Sequence, residues 1–135
     1  MISDSRRATL AALADVLIPA GGGMPSASEA AVAGRWLDEF LDIRPELGDH
    51  LVRILDEAVG RDPAAVIRSL AEDSDSADFG VLSTVVPGAY YLDPAIRARL
   101  GYPGQEAVPI PEPSLDAGDE ALLQSVIDRG PIFRT

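Results

Sequence analysis

His50 is the one histidine of this chain, so it is the first candidate for a general base near neutral pH. It lies beside Leu47 and Leu51, which recur on the apolar face of a predicted helix. No serine, threonine or other nucleophile stands at a recognisable spacing from it. We therefore predict that His50 lies at the boundary of a helix face and has no catalytic role.

The carboxylates offer a second kind of chemistry, because paired acids can act as general acid and base. Asp38 and Asp42 are one helical turn apart on a charged face, a pattern that is typical of a solvated helix surface. The triplet at residues 78–80 spells the metal-binding Asp-Phe-Gly of kinases, but the strand lysine that kinases require is missing. The sequence thus predicts no catalytic site.

Composition narrows the class of protein further. The chain has 135 residues, a net charge of -11, no cysteine and no lysine, so all eleven basic residues are arginines. Schiff-base and P-loop chemistry need a lysine, and disulfides and cysteine-ligated metals need a cysteine. An acidic chain without a basic stripe is a poor ligand for nucleic acid. No apolar run reaches the roughly 20 residues of a membrane-spanning helix, and we expect a soluble chain without membrane insertion.

Ser5-Arg6-Arg7 resembles the start of a twin-arginine export signal. The residues that follow carry Asp15 and repeat their leucines at helical spacing, whereas the apolar region of a signal is uniform. We expect this segment to stay as the first helix of the fold. The location predicted for the chain as encoded is the cytoplasm, and export together with a signal-bearing partner stays open.

Helix signals run along the whole sequence, and no segment shows a convincing period of two. Serine and aspartate caps, prolines at first helical positions and glycine stops divide the chain into helices with apolar stripes. We expect an all-α fold, a single domain over residues 1–135 of about six short helices, with a proline-rich loop at residues 102–116 before the last helix. The predicted helices start near residues 3, 26, 45, 63, 76 and 117, and a further brief helix starts near residue 94.

Three of these helices carry specific expectations. The second has a capping box of Ser26 and Glu29 and is expected to continue to about residue 43. The fifth is expected to be kinked or stopped by Pro87-Gly88. The last, over residues 117–129, is expected to bury its apolar positions: Leu122, Leu123, Val126 and Ile127.

A corner rich in aromatic and turn residues follows the fifth helix. It reads Gly88-Ala89-Tyr90-Tyr91-Leu92-Asp93-Pro94 and then, after a short helix, Gly101-Tyr102-Pro103-Gly104. Asp93 is a cap for the helix that Pro94 begins, and Tyr-Pro-Gly suits a turn with proline second and glycine third.

This arrangement resembles the small subunit (subunit 3) family of gluconate 2-dehydrogenases, in which paired aromatics and Asp-Pro precede a Gly-aromatic-Pro-Gly turn. The opening helix at residues 10–20, ending in Ile18-Pro19, is similar as well. The resemblance touches residues 8–41 and 79–104. Longer members carry a Tyr-Gly-Gly-Asn element and a tryptophan between the two motifs, and here residues 95–100 replace that insert.

The resemblance implies a non-catalytic companion subunit without a cofactor of its own. The implied partner is the large subunit of an FAD-dependent sugar or alcohol dehydrogenase of the glucose-methanol-choline type, which holds the FAD and which this chain would bind, stabilise or help to mature. The alternative is a stand-alone helical binding or assembly module unrelated to a flavoprotein.

Exposed aromatic and apolar residues are the expected anchors of such an interface, because aromatic anchors dominate interface energetics. For the tyrosines, packing into the protein's own core is the competing interpretation. The candidate interface residues are Tyr90, Tyr91, Tyr102, Pro103, Ile132 and Phe133.

Overall fold

A computed structural model describes residues 2–73, 76–107 and 117–130, the side chains of 117–122 excepted. Contacts divide the chain into two units, Met1–Gly104 and Gln105–Thr135, and each is described by itself. All buried side chains among the described residues lie between Ile2 and Ile96, within the first unit. The single domain expected over residues 1–135 stays a prediction.

The all-α prediction is confirmed. The described residues contain α-helices and short π and 3-10 turns, with only an isolated bridge between Gly21 and Met24 in place of a strand. The α-helices are α1 (Asp4–Leu17), α2 (Leu37–Ile43), α3 (Gly48–Ala58), α4 (Pro63–Glu72), α5 (Asp78–Leu92), α6 (Pro94–Arg99) and α7 (Ala117–Arg129).

The helix starts follow their local signals. The Ser3 hydroxyl accepts from the backbone N–H of Arg6, and the Asp62 carboxylate accepts from that of Ala65 at 2.8 Å. Such caps satisfy backbone donors that the first helical turn leaves without partners.

Helix α5 is the centre of the first unit, because it packs against α1, α2, α3, α4 and α6. Leu82, Val85, Val86 and Ala89 on this helix are completely buried. Pro87 and Gly88 do not stop it, although proline removes one backbone hydrogen bond from a helix. The buried residues on both sides of Pro87 hold the helical path through tertiary packing, so of the two expected outcomes, a kink or a stop, the stop is wrong.

The second predicted helix is interrupted. The capping box forms, since Ser26 N–H donates to Glu29 at 2.8 Å and Glu29 N–H donates to the Ser26 hydroxyl. Ala31 then adopts a left-handed φ of 52° and Gly34 is non-helical, so regular α-helix resumes only at Leu37. A continuous helix from residue 26 to 43 is therefore wrong.

Arg7 supplies the physical reason for this interruption. Its guanidinium donates to the carbonyls of Ala33 at 2.7 Å and Gly34 at 3.1 Å, and to the Asp38 carboxylate at 2.7 Å. These bonds satisfy carbonyls of the segment at which the helix is broken. Arg6 forms a two-pronged ion pair with Asp56, so both arginines of the predicted first helix hold parts of the fold together.

In the second unit, α7 forms over the predicted residues, but its apolar face is not buried. Leu123, Val126 and Ile127 are 44%, 56% and 66% exposed. This helix is the one described helix of its unit, and a single helix has no facing element against which to bury an apolar stripe. Within its own unit, the expected burial of these three residues does not occur, and the side chain of Leu122 lies outside the described residues. Of the loop predicted at 102–116, residues 102–107 contain neither helix nor strand.

Candidate interaction surface

The short helix α6 is fixed at both of its ends by local bonds. The Asp93 carboxylate accepts from the backbone N–H of Ala95 at 2.8 Å, and Pro94 occupies the first helical position. At the other end Gly101 has a φ of 66° and donates to the carbonyl of Ala98, while Tyr102 N–H donates to that of Arg97. This pair of bonds is a Schellman stop, and it places the backbone of Tyr102 one turn beyond Arg97.

Two longer-range contacts tie α6 to the rest of the first unit. Ile96 is 2% exposed and belongs to the hydrophobic core. The guanidinium of Arg99 donates to the carbonyl of Gly23 at 3.1 Å, which joins α6 to the turn after α1. Local hydrogen bonds and long-range contacts thus hold α6 in the corner predicted from the sequence.

An open groove of about 540 Å³ lies along α6 and the turn that follows it. Its lining consists of Pro94, Arg97, Ala98, Gly101, Tyr102 and Pro103. Tyr102 and Pro103, both candidates from the sequence, are exposed here, and Tyr102 keeps 53% of its surface accessible. The structure brings these two predicted residues together in one surface feature.

The adjacent tyrosines have different environments. Tyr90 is 2% exposed and its hydroxyl donates to the carbonyl of Pro25 at 2.8 Å, so this residue packs in the core and does not lie in an exposed interface. Burial raises the pKa of its phenol. Tyr91 is 51% exposed, and its ring meets the Tyr90 ring edge to face at 5.4 Å. Of the pair, Tyr91 alone presents an accessible ring, because the two side chains leave α5 in different directions.

The remaining candidates, Ile132 and Phe133, lie outside the described residues. In the second unit, the exposed side chains of Leu123, Val126 and Ile127 form a separate apolar face on α7. Exposed apolar residues that cluster on one face of a helix are a usual feature of interaction sites.

Arg97 is the residue of this surface that the sequence reasoning missed. It is half-buried in the groove, and within the described parts of the chain its guanidinium has no hydrogen bond or ion pair. Asp93 stands one turn before it but is engaged as the helix cap. The sequence could have revealed Arg97 through Asp93, because an aspartate that caps a helix is a poor partner for the arginine four residues later.

Residues considered for chemistry have structural surroundings. Asp78 is buried and accepts two hydrogen bonds from Arg53, which hold the pKa of this carboxyl below its usual range. His50 and Asp42 are exposed, and Asp38 pairs with Arg7. Residues 2–73, 76–107 and 117–130 contain no group of three or more acidic, histidine or cysteine side chains arranged to hold a metal ion.

Comparisons with protein-family models, with curated proteins and with solved structures find no match to this chain. Among the helices that the structure describes, none is both long and apolar enough to cross a membrane.

Proposed function

We propose that this chain is a non-catalytic companion subunit that binds the large subunit of an FAD-dependent dehydrogenase of the glucose-methanol-choline type. The observation that carries the proposal is the accessible aromatic corner of the first unit. Tyr91 and Tyr102 expose about half of their surface there, and Pro103 lies beside Tyr102. The resemblance to dehydrogenase small subunits depends on these same residues, so the motif and the accessible surface coincide.

The contacts that hold the corner suit a binding role. The Schellman stop, the buried Ile96 and the bond between Arg99 and Gly23 fix α6 before any partner arrives. A preformed surface loses little conformational entropy when it binds, which favours affinity. Tyrosines add large contact areas with polar tips, and such anchors are enriched at the centres of interfaces.

In this proposal the FAD belongs to the large subunit, and the present chain contributes binding energy. A companion that binds the folded flavoprotein and not its unfolded chain lowers the unfolded fraction by mass action. At a free concentration one hundred times the dissociation constant, this stabilisation is about 2.7 kcal/mol. The net charge of -11 favours a protein partner over a nucleic acid.

A stand-alone helical binding or assembly module is the second candidate, and the exposed apolar face of α7 favours it. Leu123, Val126 and Ile127 carry no part of the resemblance to dehydrogenase subunits, yet they form an accessible face. A module of this kind would bind through α7 and would have no specific affinity for a flavoprotein.

If an adjacent gene encodes a flavoprotein of the glucose-methanol-choline type, co-expression with that flavoprotein tests the proposal. We expect the flavoprotein to be more soluble with this chain than without it, and the two to elute together in size-exclusion chromatography with FAD absorbance in the shared peak. Equal solubility alone and separate elution would refute the companion role.

Matched variants test whether binding of the flavoprotein depends on the aromatic corner. Tyr102→Ala and Tyr91→Ala should weaken co-elution, because each removes an exposed aromatic ring from the proposed interface. Ile43→Ala is the control, since Ile43 is 60% exposed on α2 and belongs neither to the aromatic corner at residues 88–94 and 101–104 nor to the groove. Loss of binding in Ile43→Ala alone would contradict the assignment of the corner.

A further inference from the structure

We infer that the groove beside α6 binds an acidic segment of the partner protein, with Arg97 pairing with a carboxylate while Tyr102 and Pro103 pack against the neighbouring residues of that segment. This inference rests on the proposed function and names the chemistry of the contact. It starts from one observation, a half-buried arginine without a partner in the described chain.

Partial burial sets this arginine apart, because the other arginines of the described residues whose side chains have no hydrogen bond or ion pair are exposed: Arg35, Arg61, Arg68 and Arg129. With 22 acidic and 11 basic residues, carboxylates are in twofold excess. Carboxylate partners are present for these arginines of the described residues: Arg6, Arg7, Arg44 and Arg53. Arg99, two residues away, donates to a backbone carbonyl. Within the described residues, the donors of Arg97 thus have no partner, although the chain has acidic groups to spare.

Partial burial makes the guanidinium of Arg97 suited to binding a carboxylate. An exposed arginine is fully hydrated and gains little from an ion pair. A half-buried one has already lost part of its hydration, and its planar set of donors matches the two oxygens of a carboxylate. The Schellman stop places Tyr102 beside it, so charge and aromatic surface occur together.

The shape of the groove favours a protein segment over a small molecule. Sites for small ligands bury about 70–90% of the ligand surface. Here every lining residue except Arg97 is exposed, so a small carboxylate would stay largely in water. An extended segment that crosses the groove buries its own surface on the tyrosine and proline while its acid reaches Arg97. Pro103 has no backbone N–H to donate, so the contacts of the segment with this residue depend on side chains.

Charge variants of the full chain, titrated against the purified flavoprotein, test the pairing. Arg97→Glu and Arg97→Gln should each raise the dissociation constant roughly tenfold or more, with the larger effect for glutamate. Arg68→Glu is the matched control, because Arg68 is exposed on α4 away from the groove. Circular dichroism and thermal unfolding establish that each variant is folded, and the glutamine variant keeps the test valid if glutamate disturbs α6.

The absence of lysine from this chain allows a direct test of the carboxylate. Arg97→Lys introduces the only lysine side chain and keeps the charge. In the complex, a zero-length carbodiimide should join this lysine to an aspartate or glutamate of the flavoprotein, and mass spectrometry should identify the linked peptides. The same reaction on Arg68→Lys should give no such link.

The outcomes separate the two proposals. A complex that forms with unchanged affinity in Arg97→Glu, or that gives no cross-link at position 97, overturns the inference and leaves the companion role intact. A wild-type chain that does not bind the flavoprotein overturns the companion role and, with it, this inference.

Discussion

Replacing Gly88 by alanine adds a single methyl group at a position where the structure has no room for it. A Cβ atom built on Gly88 would lie 2.1 Å from Cε2 and 2.7 Å from Cδ2 of the Phe40 ring. Ordinary van der Waals contacts of such an atom begin at 3.4 Å. The substitution therefore requires the ring of Phe40, on α2, to move by more than an ångström away from α5.

Two opposite effects decide how far Gly88→Ala changes the free energy of unfolding. Alanine is favoured over glycine inside a helix by about 1 kcal/mol. Overpacking of a filled site costs about 1–3 kcal/mol, and the lower half of that range applies because Phe40 is half-buried and its ring can shift. The cost exceeds the gain, so we expect Gly88→Ala to lower the free energy of unfolding by up to about 1 kcal/mol.

The same helix provides the control. Gly80 also lies in α5, its φ is not positive, and a Cβ atom there would meet nothing within 4 Å. Gly80→Ala should therefore gain the helix propensity alone and raise the free energy of unfolding by about 0.5–1 kcal/mol. We therefore predict that the same glycine-to-alanine substitution lowers the free energy of unfolding at position 88 and raises it at position 80.

Urea unfolding of both variants, followed by far-ultraviolet circular dichroism, measures the two free energies. Combining Gly88→Ala with Phe40→Leu removes the edge of the ring, and the double mutant should recover the stability lost to the clash. If Gly88→Ala stabilises the protein as much as Gly80→Ala does, or if the two substitutions at 40 and 88 show no coupling, the packing argument is refuted.

Two further predictions concern buried polar groups. Arg53 lowers the pKa of Asp78, so the stability from this pair is complete above the pKa of a free aspartate, about 3.9, and is lost as the pH falls through the lower folded value. Urea midpoints measured between pH 5 and 2 should fall less steeply with acid in Asp78→Asn than in the wild-type protein. Glu57→Gln replaces the exposed partner of Arg53 and should leave this pH dependence unchanged. Tyr90→Phe leaves a backbone carbonyl without its donor and should cost about 1 kcal/mol of unfolding free energy, whereas Tyr91→Phe should cost nothing measurable.

The aromatic corner was only partly predictable. Tyr102 and Pro103 follow from a turn sequence that stops a short helix, and such a turn lies at the surface. The sequence alone could not assign the two tyrosines at 90 and 91, since adjacent helical residues point about 100° apart and only the packing decides which faces inward. Arg97 was missed because the capping role of Asp93 was predicted without its consequence, which is that this carboxylate is engaged and does not pair with the arginine four residues later.

Several helix boundaries were determined by the local sequence. Ser3, Asp62 and Asp93 cap the helices they were expected to cap, and Gly60 and Gly101 have the positive φ of helix stops. These signals act between residues two to five positions apart, so they need no information about the rest of the chain.

The tertiary structure decided everything that depends on distant contacts. Arg7 reaches carbonyls 26 and 27 residues away and stabilises the break near Gly34, although the capping box at 26–29 favours a helix there. Buried residues before and after Pro87 carry α5 through this proline, and α7 has no facing helix within its own unit against which to bury its apolar face. Each case has the same cause: a local pattern fixes which backbone conformation is favourable, while burial and long-range hydrogen bonds depend on which element stands opposite.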